Sequence, residues 1–90
     1  MKQTNVLKVA GNSAVSSVAG SIVKSIEDGK GVELHAIGAS SVNQTCKAIA
    51  TARGILATKG HEALSRIGFS ETVINGETKT MMIFKIVLAD

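Results

Sequence analysis

Apolar residues in this chain first alternate, then recur at spacings of three and four, and the same change of period follows once more before a long alternating tail. Val6, Leu7 and Val9 around Lys8 predict a short strand over Asn5–Ala10, closed by a Gly11-Asn12-Ser13 turn. Val15, Val18, Ala19, Ile22, Val23 and Ile26 then form one stripe of an amphipathic helix, with Ser16, Ser17, Ser21, Lys24 and Ser25 on its other faces. Ser13 is placed to cap its start, and Gly29 to supply the left-handed residue after its end. Val32 to Ile37 reads as a second strand, with Glu33 and His35 on the alternate positions. A strand, a helix and a second strand make a right-handed unit with parallel strands, so the turns that follow the two strands lie at one edge of the sheet. Two helix N-termini, at Ser13 and at Ser40/Ser41, are therefore expected to point toward a common edge.

The central run Ala36-Ile37-Gly38-Ala39-Ser40-Ser41 reads as the end of a buried strand, a small-residue turn and a helix start. Ser40 or Ser41 can cap this helix, and Gln44, three residues after Ser41, completes a capping-box spacing. The helix is expected from about Ser41 to Arg53, ending at Gly54 or continuing to Ala57 before Thr58-Lys59-Gly60. Val42, Cys46, Ile49 and Leu56 form its expected buried stripe, and Asn43, Lys47 and Thr51 a polar one. Leu64 to Ile74 is a third strand, with Ile67, Phe69 and Val73 as its inward positions and Gly68 as a possible bulge. Asn75-Gly76 is a strong type I′ hairpin signal and returns the chain antiparallel through Lys79 to Leu88. This last strand has two apolar faces, one of which the helices leave open; the simplest cover is another copy of the chain. The expected architecture is an α/β two-layer sandwich in the order β-α-β-α-β-β, a mixed four-stranded sheet with two helices on one face, within one domain spanning residues 1–90.

Composition narrows the chemistry. Hydrophobic residues make up 44% of the 90, enough for a folded core, and self-association would help a chain this short by hiding more apolar area. Aromatics are 2%, Phe69 and Phe84 alone, which leaves little on which nucleic-acid bases could stack. The formal charge of +3 comes from scattered cations and suits a polyanionic partner without requiring one. Cys46 is the single cysteine, so no intrachain disulfide forms, and that usage suits a reducing compartment. No long apolar run opens the chain, and Met81–Ala89 is too short to span a bilayer and is broken by Lys85; a cytoplasmic location is expected.

Candidate catalytic groups are sparse. His35 is a strand residue and His61 a loop residue, far apart in sequence, and Cys46 has metal spacing with neither. Walker and G-x-G-x-x-G patterns are absent, and Glu27, Asp28, Glu62, Glu71 and Glu77 form no acid–base pair. No cofactor is expected, nor an enzyme. What remains is the helix-start edge, whose free N–H groups attract anions. Gly11, Asn12, Ser13, Gly38, Ala39, Ser40, Ser41, Asn43 and Lys47 compose it, with Arg53 further along the second helix. Arg66, Lys79 and Lys59, near the hairpin and its approach, could add phosphate contacts.

The same residues carry a family resemblance. Ala36-Ile37-Gly38-Ala39, Asn43-Gln44, Lys47-Ala48 and Ala52-Arg53-Gly54 resemble the bacterial stage V sporulation protein S family, as do Leu7-Lys8-Val9, Ser17-Val18-Ala19-Gly20, Phe69 and Gly76-Glu77. That family is similar in fold to the Alba chromatin proteins, which bind DNA or RNA through the loops before the two helices and through the hairpin arms. The resemblance thus implies a dimerising β-α-β-α-β-β domain that contacts DNA or RNA backbone through Asn12, Ser13, Ser40, Ser41, Asn43, Lys47, Arg53 and Lys79. Sporulation relatives act in spore-coat assembly, septation and developmental control. Relatives often carry a basic residue where this chain has Gly11-Asn12-Ser13, and many have more arginine on the first helix and at the C-terminus. Few phosphate contacts imply weak binding that falls with salt. An assembly module that keeps the fold without the nucleic acid is the alternative.

Overall fold

The structure, a computed structural model, describes residues 3–90. Six elements follow one another: β1 (Thr4–Val9), α1 (Val15–Glu27), β2 (Gly31–Ile37), α2 (Ala39–Thr58), β3 (Ala63–Ile74) and β4 (Glu77–Leu88). The sheet order is β1-β2-β4-β3, with β1 parallel to β2 and both β2–β4 and β3–β4 antiparallel. The predicted α/β architecture is the one observed.

The register explains the layering. Val32, Leu34 and Ala36 of β2 lie opposite Ile86, Phe84 and Met82 of β4, and opposite Asn5, Leu7 and Val9 of β1. Alternation puts all of these on one face. That face meets Ala19, Ile22 and Val23 of α1 and Ala48, Ala52 and Leu56 of α2, and together they form the core. Asn5, the polar member of the face, donates from Nδ2 to Ser25 Oγ at 2.8 Å, so α1 is pinned to β1 by a satisfied contact.

Both helices end in the same way. Gly29 and Gly60 take φ of +75° and +82°, and in each case the glycine N–H and the next N–H turn back onto the last helical carbonyls: Gly29 to Ile26 and Lys30 to Ser25, Gly60 to Ala57 and His61 to Leu56. These are Schellman ends, for which glycine is the low-cost residue. Gly29 was legible as such. Gly54 is not a stop: α2 runs through it to Thr58, because Leu56 beyond it is fully buried in the core.

Leu56 is buried as expected, but through the first half of α2 the buried seam lies one residue before the expected stripe. Ser41, Thr45, Ala48, Ala52 and Leu56 face inward, and Cys46 is exposed. α1 and α2 pack closely against each other, and small side chains on the seam permit that approach. Thr45 is buried without penalty because its hydroxyl donates to the Ser41 carbonyl at 2.8 Å. Val42 and Ile49 flank the seam half-buried.

On β3 the expected inward residues have the right parity but no cover. Ile67 and Phe69 lie opposite Phe84 and Met82, on the helix side. The helices reach only the start of the strand, so Ile67, Phe69 and Val73 remain 63%, 72% and 67% exposed. The open apolar surface is therefore chiefly on the helix side of β3; on the other face of β4, Met81, Ile83 and Val87 are half-buried. β2 ends at Ile37, opposite Met81, so the pairs from Glu71–Thr80 to Ile74–Glu77 extend beyond it as an arm. Asn75 and Gly76, at φ +50° and +78°, make its tip the expected type I′ turn.

Candidate functional site

The two helix starts lie side by side. Gln44 Nε2 of α2 donates to the Ser13 carbonyl ahead of α1 at 2.9 Å, and Ser40 Oγ lies 3.5 Å from the Gly11 carbonyl. The approach is close enough that a Cβ on Gly11 would sit 2.5 Å from Ser40 Oγ and 3.0 Å from Ser40 Cβ. Gly11 is thus where the β1–α1 turn touches the first turn of α2, which joins the two starts into one rim.

Neither start is capped as the sequence suggested. The N-cap of α1 is Ala14, and Ser13 closes the preceding turn instead, its Oγ accepting from the Ala10 N–H at 2.9 Å. The N-cap of α2 is Gly38 at φ +90°, so the chain leaves β2 directly into the helix, and Ser40 and Ser41 fall inside the first turn. Gln44 spends its amide on Ser13 and forms no capping box. The first intrahelical backbone bonds are Val18 to Ala14 and Val42 to Gly38. The amides ahead of them have no N-cap side chain and no acid in either first turn. A helix start in that condition carries partial positive charge and favours an anion.

The expected site residues divide into those the rim gathers and those it does not. Asn12, Ser13 and Ser40 are on it. Ser41 is mostly buried and lines a cleft of about 320 Å³ with Lys8, Val9, His35, Ile37, Thr72, Ile74 and Met81. Asn43 and Lys47 are exposed on α2, with Lys47 about 12 Å along the axis from its start, and Arg53 lies about 21 Å along it. Arg53 instead walls an apolar groove of about 280 Å³ between α2 and β3, with Cys46, Ile49, Ala50, Ser65, Ile67 and Phe84. Lys79 is on the arm but is paired with Glu77 at 3.3 Å, and the arm's remaining charged residue is Glu71, on its other face, so the arm is not basic. Lys59 is bound to Glu27 at 3.0 Å at the far ends of the helices.

The cations that make no ion pair among the described residues are Lys8, Lys30, Lys47, Arg53, Arg66 and Lys85. Sequence reading passed over Lys8, which lies beside the rim: it also lines the groove between β1 and α1 that contains Ser13 and Ser17. Its strand-end position immediately before the Gly11 turn was the available signal. His35 Nε2 and Glu33 Oε1 are 2.9 Å apart on the open face of the sheet, and His61 Nδ1 and Asp90 Oδ2 are also 2.9 Å apart. Asp90, which accepts that contact and the Glu62 N–H at 3.0 Å, is held below the usual carboxylate range, chiefly by the hydrogen bond with His61. Among the described residues no cluster of His, Cys, Asp or Glu could hold a metal ion, and no helix is long and apolar enough to cross a membrane.

A solved structure of Alba from Thermoplasma volcanium superposes with a TM-score of 0.62 at 11% identity, over 96% of this chain and 100% of that one. At that identity the likeness establishes the fold, which is Alba-like. The family described as Stage V sporulation protein S (SpoVS) matches residues 5–89. With that match running through both helix starts, the sheet and the arm, the chain belongs to the stage V sporulation protein S family.

Proposed function

We propose that this protein is a non-enzymatic, cytoplasmic regulator that binds DNA or RNA by backbone phosphates at the shared rim. The observation that carries the proposal is the pair of helix starts joined through Gly11, Ser40 and Gln44, uncapped by side chains and free of acids in their first turns. Phosphate at such a site takes backbone N–H donors and the helix dipole together. Lys47 supplies charge two turns along α2, and Lys8 supplies it from the end of β1. The near absence of aromatics disfavours base stacking, so contact is to the backbone and carries little sequence preference.

The test is a titration of labelled duplex DNA and single-stranded RNA at low salt. Binding that weakens with salt supports the proposal, and none at high micromolar protein removes it. Lys47→Glu is expected to weaken binding while leaving the fold intact; an unchanged affinity would remove Lys47 from the interface.

A second reading is favoured by the exposed strip of Ile67, Phe69 and Val73 beside the α2–β3 groove. Such a strip suits burial by another copy of the chain, in a homodimer or larger assembly. If assembly is the whole function, light scattering will show a higher-order species indifferent to polyanions. A monomer at high concentration would count against self-association.

A further inference from the structure

The sheet has a second face, away from the helices, and its charges are arranged unusually. Arg66 of β3 lies directly opposite Lys85 of β4, both exposed and both pointing away from the core that Phe84 and Ile86 enter. Like charges directly opposite on an antiparallel ladder are destabilising. The one carboxylate beside them is Glu33, across from Lys85 on β2, but it is bonded to His35 at 2.9 Å. Lys8, opposite His35 on β1, is also without an ion-pair partner among the described residues. Lys30 lines a cleft with Lys85, Thr4, Gly31 and Val87 at the end of the face away from the rim. Cations thus descend the open face from the rim: Lys8, the Arg66–Lys85 pair, then Lys30.

We propose that the open face of the sheet is a second contact surface for the nucleic-acid backbone, with Arg66 and Lys85 converging on phosphate and Lys8 linking them to the rim. The inference rests on the nucleic-acid reading and extends its footprint. Three observations favour a polyanion. The opposed pair has an unmet need for negative charge that a phosphate answers, and the planar fork of Arg66 suits its oxygens. Lys8 lines both the groove that holds Ser13 of the rim and the cleft that holds His35, so rim and face are continuous. A second copy stacked face to face would instead bury the unpaired cations of both chains in one seam, opposite carboxylates already engaged by His35 and Lys79.

The test compares wild type, the double variant Arg66→Gln/Lys85→Gln, the single variant Lys8→Gln and the rim variant Ser40→Glu. Binding of a fluorescent 20-mer DNA duplex and a 20-mer single-stranded RNA is followed by anisotropy over a salt series. The double variant is expected to bind about tenfold more weakly at low salt, with a log–log salt slope shallower by about one to two. Its melting temperature in the absence of nucleic acid is expected to equal or exceed that of wild type, because the repulsion is gone; a merely structural role would lower it. If the double variant does not fold, Lys8→Gln carries the test through a slope shallower by about one. Wild-type binding with an unchanged slope in these variants, and a loss in Ser40→Glu, overturns the inference while the rim reading stands. No binding by wild type overturns both. Capture by anionic phospholipid vesicles that is lost in the double variant, with nucleic-acid binding unaffected, also overturns it and assigns the face to a membrane surface.

Discussion

Gly11→Ala measures directly whether the two helix starts share a rim. The added methyl would meet Ser40 Oγ at 2.5 Å and Ser40 Cβ at 3.0 Å. The hydroxyl can rotate away, surrendering only its 3.5 Å approach to the Gly11 carbonyl. The Cβ cannot, and ordinary carbon–carbon contact at about 3.6 Å requires the turn to move by about half an ångström. That movement pulls on the 2.9 Å bond from Gln44 to Ser13. Overpacking of this kind costs about 1–3 kcal/mol, and an exposed turn that can yield belongs at the lower end. Gly11 is not at positive φ, so alanine there also narrows the unfolded ensemble, a gain of about 0.4–1 kcal/mol. The net expectation is a loss of about 0.5–1 kcal/mol, or ~2–8 °C in melting temperature for a chain of this size. In a Ser40→Gly background both clashing atoms are absent, and the same substitution should stabilise by about 0.5 kcal/mol. Urea denaturation of the four proteins gives the coupling, expected at about 1–2 kcal/mol. Equal effects of Gly11→Ala in the two backgrounds would refute the contact, and with it the shared rim.

Three further outcomes follow from other parts of the molecule. Ser65 Oγ is buried with no hydrogen-bond partner, so Ser65→Ala should raise the unfolding free energy by about 1 kcal/mol; a loss of stability in urea would mean that the hydroxyl is partnered. Asp90 has a folded pKa below its ordinary 3.8, so its contribution to stability is full above that value and fades as pH falls through the lowered one; the gap between wild type and Asp90→Ala should persist at pH 5–7 and close below about pH 3.8, and a gap that widened on acidification would reverse the sign. Ile67→Ser/Phe69→Ser should shift light scattering toward the monomer without lowering the melting temperature of the isolated chain, since both side chains are already in water; an unchanged mass would clear the strip of any role in self-association.

The order of elements, the parallel β1–β2 pair, the Asn75-Gly76 turn and the Gly29 helix end were legible because each depends on local spacing or on one residue's backbone freedom. The neighbouring helix starts were legible from topology alone. Their chemistry was not: Gly38 takes the cap of α2 through its positive φ, which makes Ser40 and Ser41 first-turn residues, while Ser13 and Gln44 bond to the β1–α1 turn instead of to the helices. The seam of α2 was misread because apolar side chains were expected inside, whereas close packing against α1 selects the smaller Ser41, Thr45, Ala48 and Ala52. The exposure of Ile67 and Phe69 depends on how far α2 reaches across β3, which no spacing within the strand encodes. Arg66 faces Lys85 because the Asn75-Gly76 turn fixes the register of the hairpin, whereas Lys85 meets Glu33 only through a register set between strands far apart in the chain.

The position of β4 bears on how the molecule comes into being. It is the last strand to be synthesised, yet it lies between β2 and β3 and pairs with both. As the polypeptide leaves the ribosome, β1, α1, β2 and α2 can assemble only half a floor, with the free edge of β2 open to any passing strand. β3 cannot close that edge, since it touches the rest of the sheet only through β4. The sheet can therefore close only once β4 is available to place Phe84 and Ile86 beneath the helices. Until then the nascent chain is at its most vulnerable to mispairing.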